Sequence, residues 1–208
     1  MKGLKIGSLA ALALVVSAQA GAATTANFDF YLSGGPLIDT VSSAPTYNDG
    51  LIGVTIRAYD GSGKLVSVAD RFDGIGVLSG GLDAGEINRS LFGGTGERLE
   101  LTFNQAVQLN AIGLSQWENT PLIGDAASLS TGSTSIALGS SNDNGLLVKT
   151  FNLSSPPTGT VFNLQATGAG TAFRLAGLSV TAVPEVNSLS LMGLGLAGMG
   201  LVLRRRRS

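Results

Sequence analysis

Polar and apolar residues alternate along short stretches throughout the middle of the chain. One stretch places Leu99, Leu101 and Phe103 on one side and Glu100 and Thr102 on the other. Because successive side chains of a β-strand point to opposite faces, this period of two is typical of a strand with one buried face. No window of useful length has the period of a helix, so the pattern predicts an all-β, antiparallel domain.

Eight such stretches follow one another with turn-forming residues between them. They cover residues 26–32, 51–59, 64–70, 98–103, 106–114, 146–153, 160–166 and 172–183. We expect a hairpin turn at residues 60–64 and another turn at Asn104 and Gln105, whereas residues 71–97 are less regular. A total of about nine to eleven short strands predicts an antiparallel, jelly-roll-like β-sandwich over residues 24–182.

The composition excludes several kinds of site. The chain contains neither cysteine nor histidine, so disulfides, the usual zinc-ligand sets and imidazole catalysis are ruled out. Of the 14 acidic residues, 13 lie between Ala23 and Val183, but only seven of the 13 basic residues do, which gives this span a charge near −6. Nucleic-acid binders carry a basic stripe instead, so no nucleic-acid partner is expected.

The first 23 residues have the layout of a secretory signal peptide. Lys2 and Lys5 supply positive charge, residues 6–16 are apolar, and Ala18 and Ala20 form the small-x-small pattern that signal peptidase accepts. The alternative is an uncleaved anchor helix, but the apolar run is short for a span and ends in small residues. We therefore expect residues 1–23 to be a cleaved signal-peptide helix that exports the protein through a bacterial inner membrane.

The other end of the chain combines a short motif, an apolar run and a basic terminus. Val183, Pro184 and Glu185 come first. The stretch that begins at Ser188 and ends at Leu203 has no charged residue and predicts a short transmembrane helix. By the positive-inside rule, the arginines that follow would hold this end in the cytoplasm. They are Arg204, Arg205, Arg206 and Arg207.

This C-terminal layout resembles the PEP-CTERM sorting signal of exosortase substrates. Val183, Pro184 and Glu185 match the start of the family's Val-Pro-Glu-Pro motif, and Val186 stands where the family has its second proline. The resemblance implies transit through the inner membrane of a Gram-negative bacterium and cleavage near Pro184 and Glu185 by exosortase, a membrane-embedded cysteine protease. It then implies release to the cell surface or the exopolysaccharide matrix. A permanent C-terminal tail anchor is the alternative.

Three further segments resemble a pattern that is common in PEP-CTERM ectodomains. They are residues 74–77, 85–88 and 96–103. The resemblance implies a β-sandwich of unassigned activity, and it supplies no catalytic residue.

Acidic residues crowd the glycine-rich segment around residues 70–88. Asp70, Asp73, Asp83 and Glu86 lie there, with Asn88 beside them. Calcium takes several carboxylate and carbonyl oxygens, so these residues are candidate calcium ligands, and Ca²⁺ is the one cofactor considered. The alternative is a set of solvated loop acids, since the spacing of an EF-hand is absent.

Two aromatic residues are candidates for binding a sugar. Trp117, the single tryptophan, is flanked by Gln116, Glu118 and Asn119, and Tyr47 lies in another polar segment. An exposed aromatic ring can stack on a sugar ring while neighbouring amides and carboxylates bind its hydroxyl groups. The alternative is that Trp117 packs over the edge of the sheets.

The sequence gives little support for catalysis by a pair of carboxylates. Glu86, Glu97, Glu100 and Glu118 are available, but nothing marks two of them as partners across a cleft. We therefore expect no catalytic residue and a structural or adhesive role in exopolysaccharide or biofilm. The alternatives are a carbohydrate-binding module, with or without calcium, and then a polysaccharide hydrolase or lyase. The expected partners are signal peptidase, exosortase and exopolysaccharide, with the inner membrane as a station in transit.

Overall fold

The computed structural model describes residues 23–31, 40–80, 83–118, 124–139 and 147–184. All regular structure in these ranges is β-strand, and the strands pair antiparallel, which confirms the prediction of an all-β antiparallel domain. Residues 1–22, Glu185, the predicted helix from Ser188 to Leu203 and the four terminal arginines lie outside the described residues. The described ranges contain no helix that is long and apolar enough to cross a membrane.

The described part of the chain forms thirteen strands, slightly more than expected. They are β1 (Thr25–Asp29), β2 (Thr40–Ser42), β3 (Thr46–Asp49), β4 (Ile52–Tyr59), β5 (Leu65–Arg71), β6 (Gly74–Leu78), β7 (Ile87–Asn88), β8 (Arg98–Ser115), β9 (Ala127–Thr131), β10 (Thr134–Leu138), β11 (Val148–Asn152), β12 (Thr158–Ala166) and β13 (Ala172–Ala182). The main order across the sheet is β1–β13–β6–β5–β4–β8–β12–β9–β10. The additional strands are short, with four or fewer residues in β2, β3 and β7.

Strand β8, with 18 residues, organises the domain. Its first half pairs with β4 and β12, and its second half pairs with β13 and β11. The turn predicted at Asn104 and Gln105 is therefore wrong, since the chain continues straight through both residues. The Asn104 side chain accepts a hydrogen bond from the Gly53 N–H and donates one to the Leu51 carbonyl, each at 3.0 Å. These bonds hold the β3–β4 turn against β8 at the point where β8 stops pairing with β4 and begins to pair with β13.

Two bulges change which residues of the central strands point inward. In β8, Asn110 is an extra residue opposite β13, and in β13, Ala176 is an extra residue opposite β8. The buried hydrophobic residues of β8 accordingly have odd numbers up to Leu109, and beyond the bulge they are Ile112 and Leu114. A bulge adds one residue to one strand, so it shifts the alternation by one and bends the strand. Simple period-two reasoning therefore fails at these two positions.

The hairpin predicted at residues 60–64 is present between β4 and β5. The Asp60 carboxylate accepts hydrogen bonds from the backbone N–H groups of Ser62 and Lys64, each at 2.9 Å, and from the Ser62 hydroxyl at 2.6 Å. Gly63 has a φ of 83°, a conformation that favours glycine. The Ser62 hydroxyl and the Lys64 N–H lower the pKa of Asp60, because they stabilise the ionised carboxylate.

A second hairpin lies in the region that was expected to be irregular. Strands β5 and β6 pair from Arg71 opposite Gly74 onward, so Phe72 and Asp73 form the turn. Gly74 has a φ of 134°, and a Cβ there would lie 2.7 Å from the Leu175 carbonyl oxygen. Glycine thus allows β6 to approach β13. This contact completes a circuit of paired strands in the order β8–β13–β6–β5–β4.

A continuous cluster of apolar side chains connects the strands of this circuit with β1, β9 and β12. The rings of Phe103 and Phe162 meet edge to face with their centroids 5.8 Å apart, and Phe28 packs on Phe103 at 6.3 Å. Leu101 and Phe162 are completely buried. Burial of such side chains is the main favourable term in folding, at about 1.5–3 kcal/mol each. The inward residues predicted for residues 98–103 are confirmed.

The two ends of the domain leave it side by side. The Ala182 N–H donates to the Thr24 carbonyl at 2.8 Å, and the Val183 N–H donates to the Ala106 carbonyl at 2.9 Å. Pro184, the next residue, is exposed. Arg174 lies near the start of β13, roughly 25 Å from Ala182 at about 3.3 Å per residue. The loops around Arg174 therefore lie at the opposite end of the domain from its two termini.

Candidate functional site

Arg174 of β13 is the centre of a buried ion-pair network. Its Nη1 donates to Asp73 Oδ2 at 2.6 Å, and its Nη2 lies 3.6 Å from Glu86 Oε1. The side chains of Arg174 and Asp73 are only 7% and 8% exposed. Two buried charges of opposite sign stabilise each other, and removal of one leaves the other unpaired in a poorly solvated place.

The other donors of Arg174 hold the segment that precedes β7. Its Nε donates to the Gly85 carbonyl at 3.0 Å, and its Nη2 donates to the Ala84 carbonyl at 2.8 Å. Gln116 donates to Asp73 Oδ2 at 2.6 Å, so the chain just after β8 joins the same carboxylate. We refer to this group as the Arg174 cluster, which consists of Asp73, Ala84, Gly85, Glu86 and Arg174.

The structure divides the four predicted calcium ligands among three places, because Asp83 and Asp70 lie outside the Arg174 cluster. Asp83 Oδ2 accepts from the Ser79 N–H at 2.6 Å and from its hydroxyl at 2.8 Å, and Asp83 Oδ1 accepts from the Gly85 N–H at 2.9 Å. Asp70 accepts from Tyr47. Across the described ranges, no three acidic residues form a group that could hold a metal ion. Calcium binding stays a prediction.

Tyr47, one of the two predicted sugar-binding aromatics, packs inward. Its hydroxyl donates to Asp70 Oδ2 at 2.7 Å, and its ring meets Phe30 edge to face with the centroids 5.0 Å apart. Burial, followed by the hydrogen bond to Asp70 and the negative charge of that residue, raises the pKa of Tyr47 well above its ordinary value. Tyr47 therefore links β3 to β5 as a neutral hydrogen-bond donor.

Trp117, the other predicted sugar-binding residue, lies among aromatic side chains. Its ring centroid is 5.1 Å from that of Phe151 and 5.3 Å from that of Phe173. It packs against the apolar core, and its indole Nε1 is buried without a hydrogen-bond partner among the described residues. This geometry favours the alternative in which Trp117 packs over the edge of the sheets.

Glu97 is a buried carboxyl group whose environment the sequence did not reveal. It is 5% exposed, and its Oε2 accepts from the Asn88 N–H at 3.0 Å. The pKa of Glu97 is raised to about 7, mainly by desolvation and with a smaller contribution from the charges of Asp83 and Asp60, whereas hydrogen bonds from Ser79 and Asn88 oppose the shift. A carboxyl group with this pKa gains and loses a proton near neutral pH.

The remaining acids are engaged with other parts of the sheet. Glu100 points outward from β8, and its Oε1 lies 3.5 Å from Arg57 Nη1. Asp125, which the sequence did not single out, is buried and accepts from the backbone N–H groups of Glu118 at 2.5 Å and Ala172 at 3.1 Å. Burial raises the pKa of Asp125. These carboxylates connect loops and strands.

A groove of about 370 Å³ crosses the outer face of β1, β13, β8 and β11. Small residues form its floor, and polar side chains of β1 and β11 form its two walls. The floor contains Ala111, Gly113 and Gly177; one wall includes Asn27 and Asp29 of β1 with Tyr31 just beyond the strand, and the other includes Thr150 of β11. Sequence reasoning missed this groove, because its lining comes from strands that are far apart in the chain. Glycines inside two predicted strands were the available signal, since strand glycines often mark a close approach of a ligand or another backbone.

No family model matches the chain, and no curated protein and no solved structure is significantly similar to it. The geometry of its own residues therefore carries the assignment of a function.

Proposed function

We propose that the protein is an exported, exosortase-sorted component of the cell surface or extracellular matrix, with a structural or adhesive role. The observation that carries this proposal is the position of Pro184, which is exposed and follows the last core strand after a single residue. The bond from the Val183 N–H to the Ala106 carbonyl is the last backbone contact of the domain that we observe. This position supports the proposal, because the residues of the proposed motif follow directly on the last core strand.

This position supports cleavage without unfolding of the domain. A protease binds its substrate as an extended chain, and Pro184 is already outside the paired strands. In the proposed sequence of events, the signal peptide exports the chain and the C-terminal segment holds it in the inner membrane. Exosortase then cuts near Pro184 and Glu185 and passes the domain outward.

We also propose that the strands form a jelly-roll-like sandwich of two layers. Strand β8 pairs with β4 and β12 in its first half and with β13 and β11 in its second half, which supports this arrangement. A bent strand can belong to two packed sheets. The bulges at Asn110 and Ala176 are the kind of feature that lets a strand bend at such a corner.

A structural role is supported by what the acidic side chains do. Asp73 pairs with Arg174, Asp83 holds Ser79, and Asp125 holds the start of β13. The hydrogen bonds and ion pair of these carboxylates fix loops to strands. The domain also reaches a continuous apolar core without disulfides, which suits a part that must remain folded outside the cell.

The test is to locate the protein and to determine its mature C-terminus in the producing bacterium. We expect the wild-type protein in the surface or matrix fraction, without Arg204, Arg205, Arg206 and Arg207. Pro184→Ala should leave full-length protein in the inner membrane, whereas Pro156→Ala, the same change far from the motif, should be released normally. Val186→Pro restores the family's second proline and should speed cleavage. Surface protein that still carries the four arginines would instead establish a permanent anchor.

A further inference from the structure

The groove across β1, β13, β8 and β11 is built by the register of these four strands. Asp29 lies opposite Gly177, Gly177 opposite Gly113, and Gly113 opposite Thr150. In the next row on the same face, Asn27 lies opposite Ser179, Ser179 opposite Ala111, and Ala111 opposite Asn152. Each row therefore has small residues on the two central strands and larger polar residues on the two outer strands.

This distribution of side-chain size makes the face concave. Glycine has no side chain, so backbone forms the floor between Asp29 and Thr150, where Gly113 is buried and Gly177 is half-buried. A Cβ at Gly177 would lie 2.9 Å from the Phe28 carbonyl oxygen, and a Cβ at Gly113 would lie 3.3 Å from Val148 Cγ1. The close packing of the strands thus favours glycine at the floor. The resulting volume of about 370 Å³ lies at the small end of the usual range for ligand sites, which is about 300–1,000 Å³.

The lining of the groove offers both hydrogen-bond donors and hydrogen-bond acceptors. The side-chain amide of Asn27 and the hydroxyls of Ser179 and Thr150 make no hydrogen bond to another described residue. Asp29 Oδ1 accepts from the Tyr31 N–H at 2.9 Å, which fixes the orientation of the carboxylate while its Oδ2 faces no described donor. Sugar hydroxyl groups both donate and accept, so this set of amide, hydroxyl and carboxylate groups suits them.

The same geometry argues against a peptide in this groove. A bound peptide strand gains affinity from free backbone groups at a sheet edge. Both central strands of the groove already have neighbours on each side, since β13 pairs with β1 and β8, and β8 pairs with β13 and β11. A ligand would therefore be recognised by side chains, not by strand addition.

The charge of the domain restricts the ligand further. Asp29 is the charged residue of the groove lining, and the span from Ala23 to Val183 carries a charge near −6. A polyanion such as a polyuronate would be repelled by both. We propose that this groove binds a short segment of a neutral polysaccharide, with Asn27, Asp29, Thr150 and Ser179 bonding its hydroxyl groups. The proposal rests on the proposed function, since a matrix protein meets such chains.

The test is affinity electrophoresis of the full chain in mild detergent, through gels that contain a neutral glucan, mannan or galactan, or polygalacturonate. We expect a neutral polysaccharide to slow the wild-type protein. Thr150→Phe fills the groove from the exposed face of β11 and should weaken binding at least about tenfold. Thr160→Phe is the matched control, because Thr160 is also an exposed strand threonine but lies outside the groove. It should change binding less than about twofold.

A second variant guards against misfolding. Asn27→Ala removes one exposed amide and should weaken binding while the tryptophan fluorescence stays unchanged. The proposal is overturned if none of the neutral polysaccharides slows the protein, if only polygalacturonate does, or if Thr150→Phe and Thr160→Phe lose binding equally. If the protein reaches the matrix but binds no neutral glycan, this inference is wrong and the proposed sorting stands. If the protein binds a neutral glycan but stays in the membrane, only the proposed sorting is wrong.

Discussion

The first half of β8 and the Arg174 cluster are held together in different ways. In β8, Leu99 and Leu101 are buried by an alternation that is visible in six consecutive residues. In the Arg174 cluster, the ion pair joins residues 101 positions apart, and the carbonyl of Gly85 is 89 positions from Arg174. The comparison teaches that neighbouring residues in the sequence determine which apolar side chains are buried. A buried polar network instead depends on which distant strands pair in the complete fold.

The largest expected loss of stability comes from a substitution that breaks the Arg174 cluster. Arg174→Met leaves Asp73 buried without its cation and should lower the free energy of unfolding by about 3–5 kcal/mol. The measurement is urea unfolding of residues 23–185, a compact unit, followed by the fluorescence of Trp117. The double variant Arg174→Met/Asp73→Asn removes the unpaired charge and should recover part of the loss. Equal unfolding midpoints for the single and double variants would show that the charge on Asp73 is not what destabilises the protein.

The contrast also explains how far the sequence could predict the molecule. Period-two alternation predicted the antiparallel β domain, and the pattern around Asp60 predicted its hairpin, because both depend on neighbours a few residues apart. It could not show that Arg174 would pair with Asp73 and Glu86, nor that Trp117 would meet Phe173, since these contacts depend on which strands pair. The groove was missed for the same reason. Gly113 and Gly177 became meaningful only when the register placed them side by side.

Glu97, a buried acid that belongs to neither region, should add a pH dependence that the apolar burial of β8 lacks. Burial raises the pKa of Glu97 from its ordinary 4.5 to about 7, so the folded state holds this proton more tightly than the unfolded state. Its contribution to stability is therefore fully present below pH 4.5 and is lost as the pH rises to about 7. The total loss should be about 3–4 kcal/mol, since the pKa rises from 4.5 to about 7 and one pKa unit corresponds to about 1.4 kcal/mol.

Glu97→Gln tests this dependence, because glutamine can still accept from the Asn88 N–H but does not ionise. The variant should gain stability relative to the wild-type protein between pH 4.5 and 8, as measured by urea unfolding at each pH. Leu101→Ala is the control from β8 and should lower the free energy of unfolding by about 2–5 kcal/mol at every pH. If the wild-type and Glu97→Gln proteins gave parallel curves, Glu97 would not be the group that titrates.

The smallest expected effect concerns the middle of β8, where a local pattern predicted a turn and the strand continues. Asn104→Ala removes two hydrogen bonds to the β3–β4 turn and should lower the free energy of unfolding by about 1 kcal/mol. Gln105→Ala should change it by less than about 0.5 kcal/mol, since no hydrogen bond joins this side chain to the described residues. Asn104→Gly is decisive, because glycine suits a turn but weakens a strand by roughly 0.5–1 kcal/mol relative to alanine. A continuous β8 requires the glycine variant to be less stable than the alanine variant in urea unfolding, whereas a turn at this position would reverse their order.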